Sequence, residues 1–418
     1  TYNFNAPYTR FIDDMVEYFP GTREKFQKYI SLINSSVKSG LPYFSNKALP
    51  SWLSKITYRK MSSPYHKYSD LSTRDVIMQI FKDETILGVL TGQWGDHGLP
   101  PSQSSFAMHA MVVRHYLDGG NYPVGTSRRI AETATDNIER LGGKVYVNAG
   151  VDEILISKGK AIGVRLNSGE EVYGTTIISS AGIMNTFGKL LPNEALYDSF
   201  KEKLKLVKPT FSYHSLYMGL NQSKDSLKLG NTNFWIYQGY NHDANVEEFL
   251  NGKTDVPPIV YISLPSAKDP RAMEKYPENT TMEAIAVSDW NNFSKWTNLP
   301  WKNRGEAYEN YKEEISKKLL ETVYRHIPQA KKALDYYELS TPLTVKSLAN
   351  YPIGEMYGIE HTPGRFREKW LRPKTNIKNL YLTGQDILTV GVTSAMFSGV
   401  VTTSSILKKN LMKELLGK

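Results

Sequence analysis

Along the first 115 residues the apolar positions return every third or fourth residue, the period of an amphipathic helix. After Pro20-Gly21, Thr22 is placed to cap a helix whose Phe26, Ile30, Ile33 and Val37 share one face, and Gly40-Leu41-Pro42 is expected to end it. Ser72, with Asp75 three residues on, resembles a capping box ahead of a helix carrying Val76, Ile77, Ile80 and Phe81. Gly92 to Pro101 is a turn-rich break, followed by Ser105 to Ala110 and His115-Tyr116-Leu117. From Tyr122 the rhythm changes. A helix with Ile130, Ala134, Ile138 and Leu141 on one side stops at Gly142-Gly143, and alternation then predicts strands over Lys144 to Asn148 and Val151 to Ile156. Turns at Ser157 to Lys160 and Asn167 to Glu170 lead into an apolar strand over Thr175 to Ser179.

Residues 205 to 350 predict an antiparallel sheet, with strands over Phe211 to Leu220, Thr232 to Tyr237, Ile259 to Leu264 and Met282 to Val287. A helix from Tyr308 to Ile327 puts Tyr311, Ile315, Leu319, Val323 and Ile327 on one side, the pattern of a helix covering that sheet rather than lying on a membrane. Trp290, Trp296 and Trp301 either pack this region or touch lipid. Near the end of the chain, Tyr381 to Thr383 reads as a short buried strand that stops at Gly384 and exposes one acid, Asp386. The chain then turns at Gly391 and enters a helix rich in small residues: Ser394, Ala395, Ser398 and Gly399. A carboxylate past a strand can hydrogen-bond polyol hydroxyls, and the N–H groups of a helix start favour a partly negative ligand oxygen.

Composition narrows the classes. The 418 residues are 40% hydrophobic and 12% aromatic, enough for large interlocked cores, with no internal repeat or low-complexity tract. The net charge of +9 is scattered, which suits a solvated surface, an anionic bilayer or a phosphate-bearing cofactor, and no nucleic-acid-binding module accompanies it. There is no cysteine, so disulfides, thiolate metal sites and cysteine nucleophiles are excluded. No His-x-x-x-His, His-Glu-x-x-His or Gly-x-Ser-x-Gly pattern is present, so neither a metal site nor a serine hydrolase is expected. No apolar run reaches the ~20 residues of a membrane span, and no signal-peptide pattern is visible, so peripheral membrane association or a cytoplasmic location is expected.

The segment Gly384-Gln385-Asp386-Ile387, continuing to Thr402-Thr403-Ser404-Ser405-Ile406-Leu407, resembles the C-terminal flavin-binding segment of the FAD-dependent polyene oxidoreductases: phytoene desaturases, carotenoid isomerases and, most similar, retinol saturases. The order Gly142-Gly143, strand, Val151, hairpin, strand and Ser180-Ala181-Gly182 is similar to that family's middle FAD segment. So are Gly92 to Pro101, Pro352 to Gly358, and His361-Thr362-Pro363-Gly364-Arg365. The resemblance implies an α/β flavoprotein with α+β elements, a two-domain FAD/NAD(P)-binding fold with an antiparallel-sheet substrate domain. It divides the chain into a helical cap (1–117), a central FAD segment (118–200), a substrate domain (201–350) and a C-terminal FAD-binding segment (351–418). FAD contacts carried over by position are Val151, Ala181, Gly182, Gly384, Asp386, Val392 and Thr393, with Asp386 at the ribityl chain and Val151 at the adenine. One departure is Gly125-Thr126, where the family has a double glycine.

The family's first βαβ unit, with its G-x-G-x-x-G turn for the pyrophosphate, is found nowhere in these residues, and it would precede Thr1. The chain is therefore expected to match the C-terminal two-thirds of such a protein. Ordinary side chains carry no hydride, so the implied reaction on a C=C bond of a lipophilic polyene needs reduced flavin, with NAD(P)H as a candidate electron source. His109, His115, Glu355, Tyr357 and His361 are the candidate proton donors or positioning groups. Carotenoid desaturation or isomerisation, and non-catalytic lipid binding, remain as alternatives. The oligomeric state is not legible.

Overall fold

The two periodicities sort the chain into helices and strands much as expected, but the neighbours each element finds differ. The computed structural model describes residues 1–192 and 196–416. Ten strands lie among the described residues: β1 (Val151–Ser157), β2 (Lys160–Leu166), β3 (Glu171–Tyr173), β4 (Ile177–Ser179), β5 (Ser212–Leu220), β6 (Phe234–Tyr237), β7 (Ile259–Ser263), β8 (Thr280–Ser288), β9 (Leu334–Ser340) and β10 (Leu380–Leu382). The chain forms two compact units, each assembled from separated stretches.

The first unit comprises Thr1–Gly119, Asn148–Thr210 and Tyr357–Lys418. Its helical part buries Phe26, Tyr29, Ile30 and Ile33 of the Arg23–Ala48 helix with Val76, Ile77 and Phe81 of the Thr73–Phe81 helix and Ala110 and Val113 of the Phe106–Tyr116 helix. Ser72 caps as expected, its hydroxyl accepting from Asp75 N at 3.0 Å. Gly40-Leu41-Pro42 does not end the second helix, which continues to Ala48 with Pro42 inside. Beyond the proline, Tyr43 stacks on Tyr65 with centroids 4.5 Å apart and its hydroxyl donates to Phe366 O at 2.8 Å. Burying Tyr43 and Phe44 offsets the hydrogen bond Pro42 cannot make. β1, β2 and β3 form an antiparallel meander, but the apolar strand expected to end it, β4, leaves that sheet and pairs in parallel with β10, Leu382 opposite Ser179.

The second unit comprises Gly120–Val147 and Phe211–Met356. Its sheet runs β6-β7-β8-β5-β9, every pair antiparallel. β9 was not evident in the sequence, since Leu334-Asp-Tyr-Tyr-Glu-Leu-Ser alternates weakly; its register against β5 supplies the signal the side chains lack. The Glu306–His326 helix lays Leu319, Leu320 and Val323 on Leu216, Ile262, Ala284 and Leu339, the covering role expected of it. Trp296 is buried with Phe293 and Tyr308, whereas Trp301 is exposed.

The Arg128–Arg140 helix forms where predicted but buries no residue. Lys144 to Asn148 is not a strand: Leu141 is 78% and Val147 81% exposed. Alternation makes a segment competent to pair, but a strand exists only with a ladder partner, and no described strand pairs here. The sequence grouped these residues with the central segment; Gly120–Val147 lies in the second unit, where the Asp269 carboxylate accepts from Gly125 N at 3.0 and 3.1 Å. Thr126, at the family's second glycine, takes a glycine's conformation, φ +67°.

Candidate functional site

Parallel strands direct their carboxyl ends to one edge, and in open α/β sheets that edge is where ligands bind. β4 and β10 end together there, β4 in Ser180-Ala181-Gly182 and β10 in Thr383-Gly384-Gln385-Asp386. The turns run side by side, since a Cβ on Gly384 would lie 3.8 Å from Ser180 O. Gly182 and Gly384 both hold positive φ, +84° and +96°, which a side chain would strain. Ser180 and Ala181 are exposed, leaving open backbone beside the turn. Next comes the Val392–Leu407 helix, entered through Gly391 at φ +97°. Its hydrogen-bond ladder starts with Ala395 N on Gly391 O at 2.9 Å, so the N–H groups of Val392 to Ser394 lie ahead of it on an exposed turn. Ser398 of this helix accepts from Gly384 N at 2.6 Å, which ties helix and turn together.

Asp386 is not exposed as the sequence suggested. It is 4% accessible, and its oxygens accept from Ile183 N at 2.8 Å and Ile359 N at 3.0 Å. These charge-assisted bonds hold the β4 turn and the Gly358-Ile359 turn against β10. The carboxylate keeps further acceptor positions, so its role as a clamp and a role toward a ligand are compatible.

Behind Asp386 stand two cations that the sequence did not single out for this role, the buried Arg365 and the half-buried Lys47. Arg365 donates to Gln385 O (2.8 Å), Asp386 O (3.1 Å) and Leu388 O (3.2 Å), and Lys47 donates to Ile387 O (2.9 Å) and Leu371 O (2.8 Å). Arg365 also donates through Nη1 to His361 Nε2 at 3.0 Å, and Val390 N donates to the same nitrogen at 3.0 Å. A guanidinium only donates, so His361 carries its proton on Nδ1. Burial, then the neighbouring guanidinium, holds His361 well below its ordinary pKa. Burial also lowers Arg365 to about 10, against the pull of Asp386, and drives Lys47 well below a normal lysine, with Arg365 and Arg372 adding to the shift.

The cofactor candidates Ala181, Gly182, Gly384 and Asp386 meet at the strand ends, and Val392 and Thr393 form the exposed helix start tied to them through Ser398. Val151 opens β1 in the same unit, exposed and opposite Leu166. Among the proton-donor candidates, His109 is buried against Tyr29 Oη at 2.7 Å and pushed down to about 3 by burial and by His97. His97, itself buried and lowered to about 3, has no protein partner on either ring nitrogen. Ser105 N donates to His361 O at 2.9 Å, which brings His361 beside the helix carrying His109. His115 is exposed on that helix's last turn. Glu355 lies in the second unit, buried, accepting from Ile353 N at 3.0 Å. Tyr357 lies in the first unit, half-buried, its N–H on Thr210 Oγ1 at 3.2 Å and its ring against Gly98.

No family model matches the chain. It is 31% identical over 421 residues to an all-trans-retinol 13,14-reductase of Danio rerio, covering 97% of this chain and 69% of that protein. It is 32% identical over 389 residues to an inactive all-trans-retinol 13,14-reductase of the same organism, covering 88% of this chain and 63% of that one. In fold it is similar to a putrescine oxidase bound to putrescine, with a TM-score of 0.55 and 13% identity over 94% of this chain and 77% of that chain.

Proposed function

This chain belongs to the all-trans-retinol 13,14-reductase family, and from that premise we propose that it is an FAD-dependent oxidoreductase that saturates a C=C bond of a lipophilic polyene alcohol of the retinoid class. The observation that carries the reading is the open backbone at the carboxyl ends of β4 and β10, where two positive-φ glycines, a clamped carboxylate and an exposed helix start converge in one unit. These residues fit a flat ring system on a polyol chain. Ala181, Gly182 and Gly384 allow close approach, Asp386 can accept from ribityl hydroxyls, and the N–H groups of Val392 and Thr393 suit a partly negative ring edge. Val151 is assigned to the adenine by resemblance. No G-x-G-x-x-G turn occurs in the 418 residues, so no residue here is assigned to the pyrophosphate.

When bound, FAD supplies the two-electron hydride chemistry that side chains lack. The chain's own task is to orient the cofactor and deliver a proton to the second carbon. His109 and His361 are neutral and enclosed at physiological pH, which makes them poor acids. We assign proton donation to Tyr357, half-buried in the unit that carries the strand ends. NAD(P)H is the proposed electron source. A substrate this insoluble, together with a net charge of +9, supports peripheral contact with an anionic bilayer; no described helix is long and apolar enough to cross one.

Relatives in this family include an inactive one, so turnover needs its own test. The full-length protein should purify with flavin absorbance that Asp386→Ala diminishes, and reduced holoprotein should convert all-trans-retinol to a product two hydrogens heavier. A colourless wild-type protein that takes up no FAD would overturn the reading.

A further inference from the structure

We propose that Lys47 and Arg365 are positioning residues that set the peptide orientations of the Gln385–Leu388 turn and, through it, the flavin grip of Asp386. The proposal rests on the flavin reading above only for its last step. Every carbonyl of that turn is engaged by a cation: the buried Arg365 takes those of residues 385, 386 and 388, and the half-buried Lys47 takes the one Arg365 misses. A planar trans peptide points its N–H opposite its C=O. Fixing four carbonyls toward the cations therefore turns the N–H groups of residues 386 to 389 the other way, and that of Thr389 meets Ser394 Oγ at 3.1 Å in the first turn of the Val392–Leu407 helix. The grip thus spans from the strand end to the helix start, the two parts assigned to the cofactor.

The lysine is itself held. Arg372 donates to Lys47 O at 3.1 Å, fixing the end of the helix from which Lys47 projects. Packing alone does not account for this arrangement. A buried cation that lacks a carboxylate partner is costly, and an apolar side chain of similar volume commonly stabilises a fold in its place. No carboxylate is among the groups that shift the Lys47 ammonium, while two guanidiniums oppose it. What the cations add is a single conformation in a turn whose peptides could otherwise flip, along with positive charge close behind the proposed flavin site.

Lys47→Met keeps the stem and removes the donor. In the full-length holoprotein, we expect Lys47→Met to fold with a melting temperature at or above wild type, to bind FAD at least tenfold more weakly, and to give a more negative flavin reduction potential, since positive charge favours the electron-rich reduced form. Amide hydrogen exchange over residues 385–390 should accelerate in the variant. Arg365→Lys, which retains charge but cannot reach three carbonyls, should show the same exchange change. Wild-type flavin affinity and potential in a well-folded Lys47→Met would overturn the proposal. If neither protein binds FAD, the flavin reading fails, and hydrogen exchange alone decides the positioning role: unchanged exchange over 385–390 refutes it.

Discussion

The carboxylate of Asp386 occupies the space that a Cβ on Gly358 would fill, and Gly358 holds φ +64°, which a side chain would strain in any case. Gly358→Ala must therefore displace the acid and break its bonds to Ile183 N and Ile359 N. The expected loss is on the order of 3 kcal/mol in denaturant unfolding, together with reduced flavin retention. A stable, flavin-replete Gly358→Ala would mean that the turn can move away without cost.

Tyr357→Phe removes the proposed proton donor and leaves the ring's packing on Gly98 intact. Flavin content should stay at the wild-type level, while the rate of product formation falls by about 100-fold or more, the usual contribution of a general acid. Unaltered turnover would remove Tyr357 from the mechanism.

Stability should peak near neutral pH. Burial raises Asp96 to about 7, so between its unfolded value and pH 7 the native state binds the extra proton and stability falls as pH rises. His97 and His109 are lowered to about 3, so below about pH 6.5 the unfolded state binds the extra protons and stability falls as pH drops. Asp96→Asn should remove this loss, a gain that builds from about pH 4 to about pH 7 and is on the order of 2 kcal/mol larger at pH 8 than at pH 5, while the acid limb stays in place. Denaturant midpoints at the two pH values measure it.

Thr126 sits at φ +67°, a conformation costing a β-branched residue roughly 1–2 kcal/mol. Thr126→Gly should raise the unfolding free energy by about 1 kcal/mol after glycine's extra chain entropy is counted. A lower stability would show that the bond from Arg128 N to the threonine hydroxyl matters more than the strain.

Peripheral membrane contact predicts co-flotation with anionic liposomes at low salt and release at high salt, because surface attraction is screened within about 10 Å at 0.1 M. Absence from the liposome fraction at either salt would leave the positive charge without that role.

Local periodicity was enough to place the Thr73–Phe81 helix, the β1-β2-β3 meander, four of the five strands of the second sheet and the Gly384 and Gly391 turns, because each depends on side-chain spacing or a glycine dihedral within a few residues. The resemblance picked out Ala181, Gly182, Gly384 and Asp386, and β4 and β10 bring these four together at one edge. What only tertiary structure decided was partnership. Pro42 lies inside a helix because Tyr43 and Phe44 have a core to enter, while Lys144 to Asn148 stays unpaired because no described strand runs beside it. Asp386 changes from exposed acid to buried clamp because two amides, at residues 183 and 359, come to it from far along the chain. Lys47 carries no local signature, and Arg365 appears in the sequence only as the last residue of a family-like stretch. Their role arises where a helix from the start of the chain meets a turn near its end, and hydrogen bonds across such sequence distances are set by packing, not by the residues on either side.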